Sequence, residues 1–268
     1  MKLRPRNILL GLPQKGKNTR LVEVVLSYNT PIKELRLKYS EKILRTIFET
    51  GAENLATNFI NIKEKAYITF YLDMGKAKIS AKELQRRLKN LGFITEVSVL
   101  EPKPLFLDAA HFPLTNGLER VCIISTNTLA QIHEEMINIL GSGAFTILWH
   151  IGLRKGKMLI KLIKKLAPAD AELKQKEMLE AFKQLYQAGG WGIIEYAEIN
   201  MKQKTGKIRV YHSIAESLLK KYDMPICYYV KGNLTALLQE VFGCEGVYLN
   251  EVKCMAMGDP YCEFEFEC

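Results

Sequence analysis

Five of the six cysteines in this 268-residue chain, Cys227, Cys244, Cys254, Cys262 and Cys268, fall within its last 42 residues. Clustered cysteines in a reducing compartment point to metal binding or catalysis more than to disulfides. Glu251, Cys254 and Cys262, with Cys227 upstream, offer three thiolates and a carboxylate, the kind of donor set a closed tetrahedral zinc site uses. Val247 to Lys253 and Tyr261 to Glu267 alternate as strands around Met257-Gly258-Asp259-Pro260, so Cys254 and Cys262 can meet across a hairpin. Strict alternation would put Glu251 and Cys254 on opposite faces. The site therefore requires a bulge or an early strand end near Lys253. Cys244 is the rival fourth ligand, and the alternative is a set of small buried thiols. In the last strand Cys262, Phe264 and Phe266 share a dry face, opposite Glu263, Glu265 and Glu267.

The rest of the chain divides at Glu101-Pro102-Lys103-Pro104, a stiff linker, giving domains 1–103 and 104–268. The first domain reads β-α-β-β-α-β: strand Leu21–Leu26, a mostly helical stretch from Ile32 to Leu55 interrupted by Gly51, strands Phe59–Ile62 and Ala66–Leu72, helix Ser80–Leu91 and strand Phe93–Leu100. Ser80 with Glu83 forms a capping box and Gly92 a C-terminal cap. That order is ferredoxin-like. The second domain mixes helices with strands, so the fold class is α+β. Asn127 is expected to cap a helix ended by Gly141-Ser142-Gly143. Phe145–His150 reads as a short buried segment, and Met158–Leu166 as an amphipathic helix. Helix Leu173–Gln187 and strands Trp191–Ile199 and Lys207–Tyr211 follow. Ser213 with Glu216 opens a helix to Tyr222, and Asn233–Phe242 is the last helix.

The net charge of +9 is unevenly spread. Arg154, Lys155, Lys157, Lys161, Lys164 and Lys165 form a block without acids, most simply a solvated face. No apolar run reaches the ~18 residues of a membrane helix. The N-terminal stretch lacks a secretory signal's long apolar region, so a cytoplasmic protein is expected. Gly141-Ser142-Gly143 is no dinucleotide loop, no nucleophile–base pair stands out, and no helix-turn-helix is recognisable.

YLDMGKAKISAKELQRRLKNLGFITEVSVLE resembles the second half of an ACT-type regulatory domain, a family that pairs its sheets into dimers. Where that family has a glycine after its first strand this chain has Asn29-Thr30-Pro31, so a pairing module is the expectation. Asn250 to Phe264 (NEVKCMAMGDPYCEF) closely resembles the C-terminal signature of the 4-vinyl reductase domain. The likeness extends over about residues 105–268 and implies the mixed α/β fold shared with small subunits of the Golgi vesicle-tethering complex. The family includes sensor domains of phenol-responsive activators. In those sensors a structural zinc is held by Cys, Glu, Cys and Cys, which carries over to Cys227, Glu251, Cys254 and Cys262. A His and a Trp there contact an aromatic effector. The candidates here are Trp149, His150, Trp191, Tyr211 and His212. The resemblance thus implies a non-enzymatic, zinc-containing sensor of a small hydrophobic or aromatic ligand, a homodimer, signalling to a separate DNA-binding or signalling protein. The alternative is a reductase or carrier for a tetrapyrrole or other hydrophobic molecule.

Overall fold

The computed structural model describes residues 11–12, 19–28, 39–62, 65–101, 106–108, 111–116, 119–168, 173–218 and 222–268. Asn29-Thr30-Pro31 and Pro102-Lys103-Pro104 lie outside them. The chain divides into two compact units, Met1–Val121 and Cys122–Cys268. This division and the linker at 101–104 differ by a segment whose described part hydrogen-bonds to the first unit's sheet through Asp108 and His111.

In the first unit β1 (Gly11–Leu12) pairs only with β6 (Phe106–Leu107). The main sheet comes from β2 (Leu21–Tyr28), β3 (Glu53–Ile62), β4 (Lys65–Asp73) and β5 (Glu96–Leu100). Its order is β3-β4-β2-β5, antiparallel throughout. Helices α1 (Ser40–Phe48) and α2 (Ala81–Lys89) connect it. Val22, Val24 and Leu26 of β2 bury against Ile43, Ile47, Leu84 and Leu88. Residues 53–55, expected as helix, lie in β3, because Gly51 at φ 82° has already ended the helix at a left-handed turn that only glycine adopts cheaply. Half of the capping box forms. The Glu83 amide donates to Ser80 Oγ at 3.2 Å, while the Glu83 carboxylate turns to Arg86 and Arg87.

The second unit holds α3 (Thr126–Leu140), α4 (Gly143–Leu166), α5 (Gln175–Ala188), β7 (Ile193–Asn200), β8 (Thr205–Tyr211), α6 (Tyr228–Phe242), β9 (Tyr248–Lys253) and β10 (Cys262–Glu267). The sheet order is β7-β8-β10-β9, antiparallel. Helix α6 is the central element: Leu234, Leu237 and Leu238 are fully buried among β-strand and helix side chains. Helix α4 approaches α6 closely because glycines replace side chains where they meet. A Cβ on Gly152 would overlap the Tyr229 carbonyl oxygen, and one on Gly232 the Trp149 carbonyl oxygen.

Four expectations are corrected here. Phe145–His150 is the start of the 24-residue α4, not a separate segment. Its apolar residues read as a buried run, but Ile147 and Ile151 are exposed. Ser125, whose Oγ accepts from the Thr128 amide at 3.1 Å, caps α3; Asn127 instead accepts from Ser217 Oγ at 2.9 Å. The helix after Ser213 is a short 3-10 turn, Ile214–Leu218. A disulfide joins Cys244 to Cys268, where composition argued against one. No helix among the described residues is long and apolar enough to cross a membrane.

Candidate metal centre

The hairpin β9–β10 builds most of the site. Glu263 pairs with Lys253 and Phe264 with Glu251, leaving Val252 as an extra residue in β9. This bulge breaks the two-residue period. Val252 turns outward at 41% exposure, while Glu251 and Cys254 both face inward. A 3-10 turn, Met255–Met257, and Gly258 at φ 105° then return the chain to Cys262. The Cys254 amide donates to the Asp259 carboxylate at 2.8 Å, fixing that turn. Cys227 joins from the residue before α6.

Cys227, Glu251, Cys254 and Cys262 are all buried, with ligand atoms within 4.8 Å of one another. The Cys227 sulfur lies 3.6 Å from that of Cys254 and 3.3 Å from that of Cys262. Ligands of a tetrahedral zinc at the usual bond length would sit about 3.8 Å apart, so the sulfurs need only a small outward shift to accept one. Glu251 Oε2 accepts from the Cys227 amide at 3.0 Å. Its Oε1 is buried without a hydrogen-bond partner among the described residues, an arrangement that costs free energy unless something satisfies it. Burial, and next the neighbouring Cys254, push the Glu251 carboxyl up to about 8. Neighbouring thiols and burial push Cys227 well up, while hydrogen bonds from Cys227 and Cys262 pull Cys254 down. Four acidic groups crowded out of water resist ionising together, and a cation at their centre resolves that conflict. The cluster can hold a metal. Cys244 is removed from it by its disulfide.

Cys227 also lines a narrow cavity, together with His133, Ile214, Ala215, Leu218, Ile226, Tyr229 and Val230. Its volume is ≈ 10 Å³, about the room one water needs. His133 stands 5.2 Å from the Tyr229 ring, and burial pulls it down to about 4, so it is a neutral imidazole.

On the far side of Tyr229 is a second arrangement. The Lys155 amine sits 3.4 Å from the centre of the Trp191 ring, 4.6 Å from that of Tyr186 and 5.5 Å from that of Tyr229. Lysines ordinarily bury the stem and keep the amine wet. Here the amine is the buried end, without a hydrogen-bond partner among the described residues. Burial lowers it from 10.5 to about 6, roughly 6 kcal/mol against the charged form. Cation–π attraction returns about 2 kcal/mol of that. Desolvation is the larger effect, and the amine is held well below the ordinary lysine range.

Of the residues proposed for ligand contact, Trp191 is brought to Tyr229, at 5.8 Å between ring centres. Trp149 and His150 lie together on α4, with rings 4.8 Å apart. The Tyr211 hydroxyl donates to Glu195 at 2.6 Å. His212, exposed and at φ 52°, meets Glu216 at 3.1 Å. None of these five residues lines the cavity. His133, Tyr229 and Lys155 carry no motif in the sequence. Only their inward orientation marks them.

The geometry above spans a region with known relatives. Residues 207–268 match the V4R domain. The chain is 27% identical over 137 residues to an uncharacterized protein of Methanocaldococcus jannaschii, covering 49% of this chain and 80% of that one. Two solved structures are similar. One is the phenol-responsive sensory domain of the transcription activator PoxR with phenol (19% identity, TM-score 0.48, 56% of this chain and 78% of that chain). The other is a vinyl-4-reductase family protein from Methanocaldococcus jannaschii (21% identity, TM-score 0.38, 55% of this chain and 83% of that chain).

Proposed function

We propose that this protein is a non-enzymatic sensor whose V4R region holds a structural zinc and binds a small apolar or aromatic molecule. One observation carries the reading: Cys227 is at once a wall of the cavity and a member of the metal cluster. A ligand that wedges the cavity open must shift Ile226–Val230 or the turn Ile214–Leu218, and either movement is felt at the metal. Binding then selects between two arrangements of the start of α6, which a partner can read. With four protein ligands the zinc would have no open position for catalysis, and its role would be to fix the hairpin.

The neutral His133 and Tyr229 both line the cavity and supply the polar edges such a ligand would meet. Exposed Ile139, Ile147, Ile151 and Met158 on α3 and α4 favour pairing with a second copy. In the first unit, the order β2-α1-β3-β4-α2-β5 and the sheet order β3-β4-β2-β5 support the ferredoxin-like, ACT-type reading. That unit is then the second pairing module, and a separate DNA-binding or signalling protein receives the output.

The test is thermal stability with and without phenol as the probe, on the full chain and on Ala215→Val, whose two added methyl groups take up the cavity. The expected result is a phenol-dependent rise that the substitution removes. A rise that survives in Ala215→Val, or no rise in either protein, contradicts the cavity assignment.

A further inference from the structure

The sensing reading leaves Lys155 unused, and a buried, unpartnered amine walled by three aromatic rings is costly to keep without a purpose. Its surroundings narrow what it can meet. Trp191, Tyr186 and Tyr229 present ring faces that stack on a flat apolar molecule. The amine is the one polar head aimed among them. A charged partner is disfavoured, because it would have to leave water for a wall of aromatic rings. An uncharged electrophile suits the site better. Buried lysines of this kind are the ones that form Schiff bases.

We propose that Lys155 is a carbonyl-capturing residue, whose amine condenses with an uncharged aromatic aldehyde to form an imine beneath the Trp191 indole. The nitrogen lone pair attacks the carbonyl carbon, the C–N bond forms and the C=O π bond opens onto oxygen. One amine proton passes to that oxygen. The second is lost as the C=N bond forms and the C–O bond breaks, and the oxygen departs as water. No electrons are exchanged with a third party, and the reverse reaction releases the aldehyde. Access runs past Trp191, which is only partly buried and lies over Gly189, where a Cβ would stand 2.8 Å from the indole Cδ1. Gly190 at φ 75° and Gly192 at φ 133° flank it, both in conformations that glycine adopts most readily. This inference rests on the sensing reading for its use and adds to it the class of ligand.

The experiment treats the full-length protein with benzaldehyde and sodium cyanoborohydride near neutral pH and maps benzylated lysines by peptide mass spectrometry. Lys155 is expected to label at least about tenfold faster than Lys157, Lys161, Lys164 and Lys165, because a neutral amine is the reacting form. Lys155→Met, apolar and of similar length, should lose that fast adduct and keep the slow surface labelling. Trp191→Ala should speed labelling further. Labelling of Lys155 no faster than the exposed lysines overturns the proposal. So does a Lys155-dependent thermal shift with benzoate and none with benzaldehyde, which would make the amine an anion anchor. Failure of capture with the phenol shift intact removes only this inference. Loss of the phenol shift with Lys155 labelling intact removes only the cavity assignment.

Discussion

At the scale of single residues, the cluster was legible because its members sit in a short hairpin whose alternation could be read directly. Glu251, Cys254 and Cys262 are close in sequence, and the parity conflict between Glu251 and Cys254 forced a bulge. The structure puts it at Val252. Lys155 was not legible. Its neighbours Arg154 and Lys157 are exposed, and composition cannot tell an inward amine from five outward ones. Cys254→Ser is expected to lose the metal and to destabilise the second unit by on the order of 3 kcal/mol, measured by metal analysis and denaturant unfolding of the same sample. Lys155→Met is expected to raise stability, since it removes a buried unpaired polar group without leaving a cavity; a fall in melting temperature would show the amine acting as a structural cation.

His111 supplies a pH prediction in the first unit. Its Nδ1 lies 3.1 Å from Glu23 and 2.9 Å from Asp108, and its Nε2 is 3.0 Å from Thr69 Oγ1. Glu23 first, and Asp108 with it, push His111 up to about 9, against a loss from burial. A raised folded value means the stabilisation is complete below the unfolded value near 6.5 and disappears as pH rises through about 9. The first unit is therefore expected to lose stability between those limits. His111→Gln should flatten that dependence in chemical denaturation; an unchanged slope would exclude this group as its source.

At the scale of elements, strands and most helices followed from period and punctuation, including the start capped by Ser80, whereas the starts of α3 and α6 did not. Helix α6 begins at Tyr228, five residues before the expected Asn233, because Tyr229, Val230 and Gly232 are buried and the run has no wet face to show a period. The contact between α4 and α6 is set by glycines that no spacing rule singled out. At Gly156 a Cβ would stand 2.6 Å from the Ala236 Cβ and 2.8 Å from the Asn233 carbonyl oxygen. Gly156→Leu is expected to cost about 1–3 kcal/mol by overpacking and to displace α6, with Cys227 at its N-terminus. Circular dichroism melts and metal content should move together. A variant with normal stability and metal would show that the two helices can separate without disturbing the site.

At the scale of the molecule, the chain is two compact units with separate cores, and the cluster of Cys227, Glu251, Cys254 and Cys262 belongs wholly to the second. Chelation is expected to raise amide exchange around Cys227, β9 and β10 while leaving β2 and β4 protected. Exchange rising equally in both sheets would contradict that separation. The most direct test of the central claim is metal content, by elemental mass spectrometry on protein purified without added metal, paired with native mass spectrometry of the intact chain. The account predicts one zinc per chain, lost together with the hairpin's protection when chelator is added. Metal-free protein in which Cys227, Cys254 and Cys262 all titrate as free thiols, with the hairpin still protected, would contradict it.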